Sequence, residues 1–290
     1  MTNDRPEAEI SLPSYALIDF GNGRRLERFG PWTIDRPCPA AEPFRPVQPD
    51  RWVQADARFE RTSTDTGRWI LNTDVPERWT IDLGTFRMEL KRSPFGHLGI
   101  FAEQAANWQW IAGQIAASDR PLKVLNLFAY TGGSTLAAAG AAEVVHVDAA
   151  RNTVVEARRN AELSFPPEVP IRWIAEDVRK FVRRELRRGN TYDAVILDPP
   201  SYGHGPRGEV WRLSKHLPGL LAACAELTAD RRSFLLLTAH TPKFEAKRLG
   251  QMLAEALGGD SAGSMTVGPM TLRAEDGRRL PSGDFVRWTA

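Results

Sequence analysis

The chain of 290 residues has only two cysteines, Cys38 and Cys224. Two are too few for a disulfide framework and lack metal-ligand spacing, so neither a stapled secreted fold nor a metal site is expected. No apolar run reaches the length that crosses a bilayer, and the N-terminus lacks the charged-then-apolar pattern of a secretion signal. A cytoplasmic protein with no membrane partner follows. Excess charge of one sign is also missing: Lys+Arg 38 against Asp+Glu 36 leaves a net charge of +2. Any nucleic-acid contact must therefore come from local basic patches. No internal repeat is visible. The glycine turn at 128–133 lacks the G-x-G-x-x-G spacing of dinucleotide sites, which disfavours a pyrophosphate ligand and leaves adenosine without one as the better fit.

Against these absences stands a globular composition, 42% hydrophobic and 26% charged, over a length that favours two domains. The stretch Val124 to Asp148 organises the rest. Val124-Leu125-Asn126-Leu127-Phe128 is a short apolar run that meets Ala129-Tyr130-Thr131-Gly132-Gly133, a buried strand running into a glycine turn. Ser134 to Ala142 is alanine-rich and suits a short helix packed close to a sheet. Val144 to Val147 is a second buried strand, stopping on Asp148. Strand, glycine loop, helix, strand and carboxylate form the first half of a nucleotide-binding crossover. The glycines let backbone approach a ligand, the loop offers N–H groups at a helix start, and Asp148 can accept hydrogen bonds from a ribose diol.

Residues 1–12 are polar and expected to fray. Ser14 to Asp19 and Arg24 to Phe29 flank Gly21-Asn22-Gly23 and predict a β-hairpin. Pro31 to Pro49 is dense in proline and predicts extended coil. Ala57–Arg61, Gly67–Asn72, Trp79–Leu83 and Phe86–Lys91 are further strand-like pieces, so 1–95 reads as a smaller β-rich N-terminal domain. Its Trp32, Trp52, Trp69 and Trp79 suit core or interdomain packing better than base stacking. A glycine-bearing loop then precedes a helix starting near Glu103. After Asp148 come a helix at Ala150–Leu163, a third strand at Ile171–Ala175 ending in Glu176-Asp177, and a helix at Val178–Arg188. On that helix Val178, Phe181, Val182 and Leu186 make one face. Arg179, Lys180, Arg183, Arg184, Arg187 and Arg188 line the other, either a phosphate-binding stripe or a solvated surface. Tyr192–Leu197 is a fourth strand, Leu213–Thr228 a helix, Ser233–Thr238 a fifth strand and Phe244–Leu257 a helix. Met265–Leu272 and Phe285–Trp288 are the last strands.

The run Leu125 to Gly133 resembles the first motif of the class I S-adenosylmethionine (SAM) methyltransferases, and within them the ribosomal RNA large-subunit methyltransferase group, with Asn126 where many members are acidic. A second motif agrees: Asp198-Pro199-Pro200-Ser201-Tyr202 at the end of the fourth strand, a D-P-P run followed by one residue and an aromatic. Two prolines are a poor way to continue a sheet or begin a helix, and their rigid backbone can hold a carboxylate and carbonyls towards a planar substrate. The resemblance covers roughly 95–290. It implies an α/β fold, with a seven-stranded Rossmann-like SAM domain over 96–290, and a transferase acting on rRNA. It assigns SAM contacts to Asn126, Phe128, Tyr130, Thr131, Gly132, Gly133 and Asp148. It adds Gln104, with Gly99 and Phe101, from the segment before the domain, and Asp177 and Val178 at the adenine. Asp177 also suits a helix cap. Substrate positioning falls to Asp198, Pro199, Pro200 and Tyr202, beside a mobile loop at Gly203–Gly208. No metal is implied. The same domain serves methyltransferases of proteins or small molecules, which the modest charge permits. A nucleotide-dependent oxidoreductase or non-catalytic binding module would leave the D-P-P motif unexplained.

The acceptor atom is also constrained. Methylation at cytosine C5 needs a thiolate that adds to C6 and activates the ring. In the cytosine-C5 members of the resembled group that cysteine follows the fifth strand, where this chain reads Thr238-Ala239-His240. Cys224 sits in a helix among leucines and Cys38 in the proline-rich segment. A nitrogen acceptor is expected instead, with His240 as base or hydrogen-bond donor, or else only as a cap of the strand end.

Overall fold

The computed structural model describes residues 10–63, 66–140, 143–205, 208–242, 244–259 and 263–290. The frayed terminus expected over residues 1–12 lies almost wholly outside the described residues, as do positions 141–142 of the alanine-rich helix and 206–207 of the expected loop. The chain folds as two compact units. One holds the described residues up to Ala105 together with Thr271–Ser282; the other holds Ala106–Met270 with Gly283–Ala290.

The first unit carries a five-stranded sheet in the order β1 (Tyr15–Gly21), β2 (Arg24–Phe29), β3 (Trp32–Pro37), β4 (Ala57–Arg61), β5 (Gly67–Leu71), and a separate antiparallel pair, β6 (Arg78–Asp82) and β7 (Arg87–Lys91). The β1–β2 hairpin turns through Asn22 and Gly23, both at positive φ, 51° and 71°, as a tight right-twisted hairpin demands. The proline-rich segment is not the extended coil expected from its composition. It contains β3, a 3-10 turn at Pro39–Ala41 and helix α1 (Pro49–Val53). The prolines stand where they cost no ladder bond: Pro37 ends its strand, and Pro39 and Pro49 open their helical turns. Trp32 to Arg36 is left proline-free and pairs with β2. Three tryptophans donate inward, Trp52 to Asp19, Trp69 to the Ser93 carbonyl and Trp79 to the Phe29 carbonyl, which is packing and not a stacking platform. Arg278, from the late segment, belongs to this unit through its ion pair with the buried Asp19.

The second unit is a seven-stranded sheet ordered β10 (Ile171–Ala175), β9 (Val144–Asp148), β8 (Val124–Leu127), β11 (Ala194–Leu197), β14 (Phe234–Ala239), β16 (Arg279–Thr289), β15 (Ser264–Arg273). The first five are parallel and β16 is antiparallel to β14. Residues of β8 and β11 are buried without exception, as befits parallel strands covered on both faces. Alternation divides them. Leu125, Leu127, Val195, Leu197, Leu235 and Leu237 pack with helices α5 (Val178–Arg187), α6 (Leu213–Thr228) and α7 (Ala246–Ala256). Val124, Ala194, Ile196 and Leu236 pack with α2 (Ala105–Ala116) and α3 (Gly133–Ala138). Helix α4 (Arg151–Ser164) follows β9. The loop expected at Gly203–Gly208 is in part a ribbon, because β12 (Tyr202–His204) pairs with β13 (Val210–Arg212).

At the amino-terminal end of the sheet Asp193 joins three strands. Its side chain is fully buried and accepts from the Lys123 N–H at 2.6 Å, from Arg231 Nε at 2.5 Å and from Arg120. Burial pushes its carboxyl up, but these donors outweigh it and leave it below the ordinary carboxylate value. Asp193→Ala should lower unfolding free energy by about 2–3 kcal/mol, because it orphans a buried N–H and two guanidinium groups that are only partly solvated. A depressed carboxyl stabilises above its unfolded value near 3.8 and loses that contribution as pH falls through the lower folded value. Urea melts of both proteins should therefore converge in that acid window and differ fully at neutral pH.

Candidate active site

Five parallel strands end on one edge of the sheet, and strand order determines what lies along it. In sequence across the edge come Asp177 after β10, Asp148 closing β9, the 128–133 loop after β8, Asp198–Tyr202 after β11 and His240 after β14. β9 and β10 lie on one side of β8, and β11 and β14 on the other. The winding reverses between β8 and β11, where doubly wound sheets open a crevice for ligands.

The loop after β8 is unusual in its backbone. Phe128 and Tyr130 both adopt left-handed conformations, φ 57° and 50°, and Gly132 has φ 98°. Each non-glycine residue held there costs on the order of 1–3 kcal/mol, sustained only by surrounding structure. The support is visible. Asp148 accepts from the Tyr130 N–H through Oδ2 and from the Ala150 N–H through Oδ1, both at 2.9 Å. The Ala129 N–H donates to the Val147 carbonyl at 3.1 Å, and Asn160 donates to the Thr131 carbonyl at 2.9 Å. A Cβ at Gly132 would stand 3.2 Å from Cβ of Ala157, and one at Gly133 only 2.7 Å from the Trp108 ring. The glycines are thus required by packing against α4 and α2, a reason the sequence did not reveal. Burial raises the Asp148 carboxyl, and the N–H groups of Ala150, Tyr130 and Ala149 pull it part of the way back.

Asn126 does not reach the open end of the sheet. It is 2% exposed and donates to Thr135 Oγ1 at 2.9 Å, which lies 2.8 Å from His146 Nδ1. This chain links β8, α3 and β9 beneath the loop. Burial takes His146 down to about 3, so it is neutral at physiological pH. Thr135 and His146 carried no motif; the one available signal was a histidine inside the apolar run of β9. Val178 is 3% exposed within the core on the α5 side of the sheet, while Asp177 caps α5 by accepting from the Lys180 N–H at 3.1 Å. Gln104 lies in a 3-10 turn, Ala102–Gln104, of the first unit.

On the other side of the crevice Asp198 Oδ1 accepts from the Thr238 hydroxyl at 2.6 Å and lies 3.3 Å from His240 Nε2. Ser201 and Thr241 share a 2.5 Å hydrogen bond. Trp211 donates to the Pro200 carbonyl at 2.7 Å and the Leu213 N–H to the Ser201 carbonyl at 3.0 Å, so the ribbon is pinned to the D-P-P run. Trp211 also packs 4.8 Å from the Phe128 ring, joining the two motifs. Pro199 is buried and Pro200 exposed. Tyr202 is 53% exposed, its hydroxyl 3.1 Å from His204 Nε2.

The basic face of α5 is largely neutralised by its neighbours. Arg179 pairs with Asp177, Lys180 with Glu209, Arg184 with Glu176 and Arg188 with Glu185. Arg183 and Arg187 are exposed and make no ion pair among the described residues.

The buried chain under the loop gives a direct test. Thr135→Val keeps the side-chain volume but strands the Asn126 amide and the His146 imidazole. It should cost about 2 kcal/mol of stability, read as a lower urea midpoint with an unchanged slope.

Over residues 48–239 the chain matches the family described as S-adenosylmethionine-dependent methyltransferase. It is 36% identical over 110 residues to Ribosomal RNA large subunit methyltransferase I of Aeromonas salmonicida, a match covering 37% of this chain and 27% of that protein. The protein of the same name from Tolumonas auensis is 37% identical over 110 residues, with the same coverage of 37% and 27%. The chain thus spans about a quarter of the length of the curated relatives it matches. In three dimensions it is similar to a SAM-dependent methyltransferase from Agrobacterium tumefaciens, with a TM-score of 0.91 and 38% identity over 97% of this chain and 92% of that one. The methyltransferase SMU.776, complexed with S-adenosylhomocysteine (SAH), shares the fold at a TM-score of 0.76 and 17% identity, over 96% and 76% of the two chains. The family match across most of the chain, together with a near full-length relative, establishes that this protein belongs to the S-adenosylmethionine-dependent methyltransferases and that SAM is its cofactor.

Proposed function

We propose that this enzyme transfers the SAM methyl group to a nitrogen atom of a ribosomal RNA base in the cytoplasm. In this reading residues 1–95 serve as a β-rich accessory domain and 96–290 as the catalytic domain. The observation that carries the nitrogen acceptor is the carboxyl end of β14, where His240 beside Asp198 occupies the place of a catalytic cysteine. Cys224 is 2% exposed, with burial pushing its thiol up to about 12, so it supplies no thiolate. Cys38 is raised by burial too and lies in the other unit. The ribosomal RNA substrate is supported by the curated relatives.

The donor set suits an adenosine that carries a sulfonium and an amino acid. Asp148 gives one lone pair on each oxygen to backbone donors, which leaves acceptor capacity for two ribose hydroxyls. Asp177 gives one oxygen to its helix cap, and the other can meet the adenine amino group beside Val178. The left-handed turn from Phe128 through Tyr130 and Thr131 to Gly132 and Gly133 offers backbone to the methionine end. Bound SAM supplies an electrophilic methyl. The protein aligns and desolvates, with Asp198, the Pro199 carbonyl, Pro200 and Tyr202 holding a planar base.

The reading is tested by incubating the protein with labelled SAM and ribosomal RNA, with a protein extract as comparison, and analysing nucleosides by mass. A methylated nitrogen supports it. Label in protein alone, or 5-methylcytosine whose formation is abolished in the Cys38→Ala, Cys224→Ala double variant, overturns it.

Two further outcomes are expected. Asp148→Ala should weaken SAM binding by about 1–3 kcal/mol in titration calorimetry, since charge-assisted hydrogen bonds are lost. For RNA, Arg183 and Arg187 are the side chains of the α5 stripe still available to phosphate, so Arg183→Gln with Arg187→Gln should flatten the dependence of log affinity on log salt by about two ions. Removal of Arg184 and Arg188, already paired, should change that slope much less.

A further inference from the structure

The ribbon that follows the D-P-P run has two unlike faces. β12 and β13 pair antiparallel, with Tyr202 opposite Arg212, Gly203 opposite Trp211 and His204 opposite Val210. Side chains alternate along each strand, and directly opposed residues share a face. Gly203 and Trp211 form the inner face, where Trp211 is buried, donates to the Pro200 carbonyl and packs on Phe128. A two-stranded ribbon is marginal by itself, and this anchoring holds it to the D-P-P run. Tyr202, His204, Val210 and Arg212 form the outer face. All four are exposed, Tyr202 at 53% and Val210 at 37%. Two features of this face suit nucleic acid. The first is charge. Arg212 makes no ion pair among the described residues, while Glu209, the carboxylate of the ribbon, is held by Lys180. The second is the arrangement of rings. Tyr202 and His204 stand at 89° with centroids 5.1 Å apart, and the Tyr202 hydroxyl is 3.1 Å from His204 Nε2. Ring faces at a right angle cannot receive two bases of one continuous stack. They can receive a base and its neighbour once one of them has swung out, as chemistry on a base demands.

We propose that the outer face of this ribbon grips an unpaired RNA strand beside the acceptor base. Tyr202 takes the target base, His204 stacks on the base next to it, and Arg212 binds the phosphate of the same segment. The proposal rests on the RNA reading above and names the form of RNA that the site accepts: a single-stranded segment whose target base is turned out of the stack. A double helix would offer phosphates to Arg212 but no ring face to His204, because its bases stay stacked and paired. Stacking on a ring tolerates any base, and a phosphate contact sets the register of the strand. Trp211 ties the ribbon to the Pro200 carbonyl, so a strand held on the outer face is held in register with Asp198 and the prolines.

The test is fluorescence anisotropy with the full chain and an unstructured single-stranded RNA of about 12 nucleotides, compared with the same strand annealed to its complement. The wild-type protein should favour the single strand. His204→Ala should weaken single-strand binding by about tenfold, as loss of one stacked base does, and leave duplex binding in place. His204→Phe keeps a ring and should restore the affinity. Arg212→Gln should lower the slope of log affinity against log salt by about 0.7, the share of one phosphate on a single strand. Affinity for SAM should be the same in all of these proteins. With ribosomal RNA as substrate, His204→Ala and Arg212→Gln should raise KM for RNA more than they lower kcat. Wild-type affinity in His204→Ala together with a wild-type salt slope in Arg212→Gln overturns the proposal. Equal binding of single strand and duplex overturns it too, as does a loss in His204→Phe as large as that in His204→Ala. If the wild-type protein methylates RNA while these variants bind as it does, the ribbon proposal falls and the RNA reading stands. If the wild-type protein binds neither form of RNA, the RNA reading falls and the proposal with it.

Discussion

One backbone hydrogen bond, from the Tyr130 N–H to the Asp148 carboxylate, holds the turn around which the catalytic unit is arranged. β8 must pass into α3 within a few residues, and it does so through three left-handed conformations, two of them on residues with side chains. Such a turn does not persist unaided. Asp148 closes the neighbouring strand, so the parallel pairing of β8 and β9 is what brings the carboxylate under the loop. The same carboxylate retains the lone pairs that a ribose diol would need, which couples the integrity of the turn to the binding of the nucleoside.

Below this edge the unit is built for rigidity. Asp193 joins the starts of β8, β11 and β14 at the far end of the sheet, and the Asn126–Thr135–His146 chain fastens α3 to two strands under the loop. Asp193, Asn126, Thr135 and His146 are buried and each is partnered through at least one atom, the condition under which buried polarity specifies a single packing. The proposed chemistry lies at the opposite edge. There the side chains are partly solvated, with Asp198 29% and His240 34% exposed.

The two halves of the edge are also mechanically connected. Trp211, on the ribbon after the D-P-P run, bonds the Pro200 carbonyl and packs on Phe128 of the loop after β8. A shift of either motif would be felt by the other. The ribbon itself, with Tyr202 outward, gives the acceptor side a paired backbone, where composition alone suggests a loop.

Much of this was legible from residue order. Buried strands that end in glycine, aspartate or D-P-P, helices between them, and an alternation of period 2 and period 3.6 specify a parallel sheet and the edge on which its ligands lie. Local chemistry determines these features: β-branched and leucine runs bury both faces, and carboxylates and glycines mark the strand ends. The sequence also excluded a thiol at the carboxyl end of β14. Only the tertiary structure decided which side chains reach that edge. Asn126 sits within the loop motif, yet strand pleat turns it into the layer beneath, towards Thr135 and His146. The stripe on α5 reads as six cations, yet Glu176, Asp177, Glu185 and Glu209 neutralise four of them. Asp284 belongs to no motif, and the antiparallel register of β16 sets it opposite Ala239. Pairing of this kind joins residues far apart in the chain, so no local pattern in the sequence can record it.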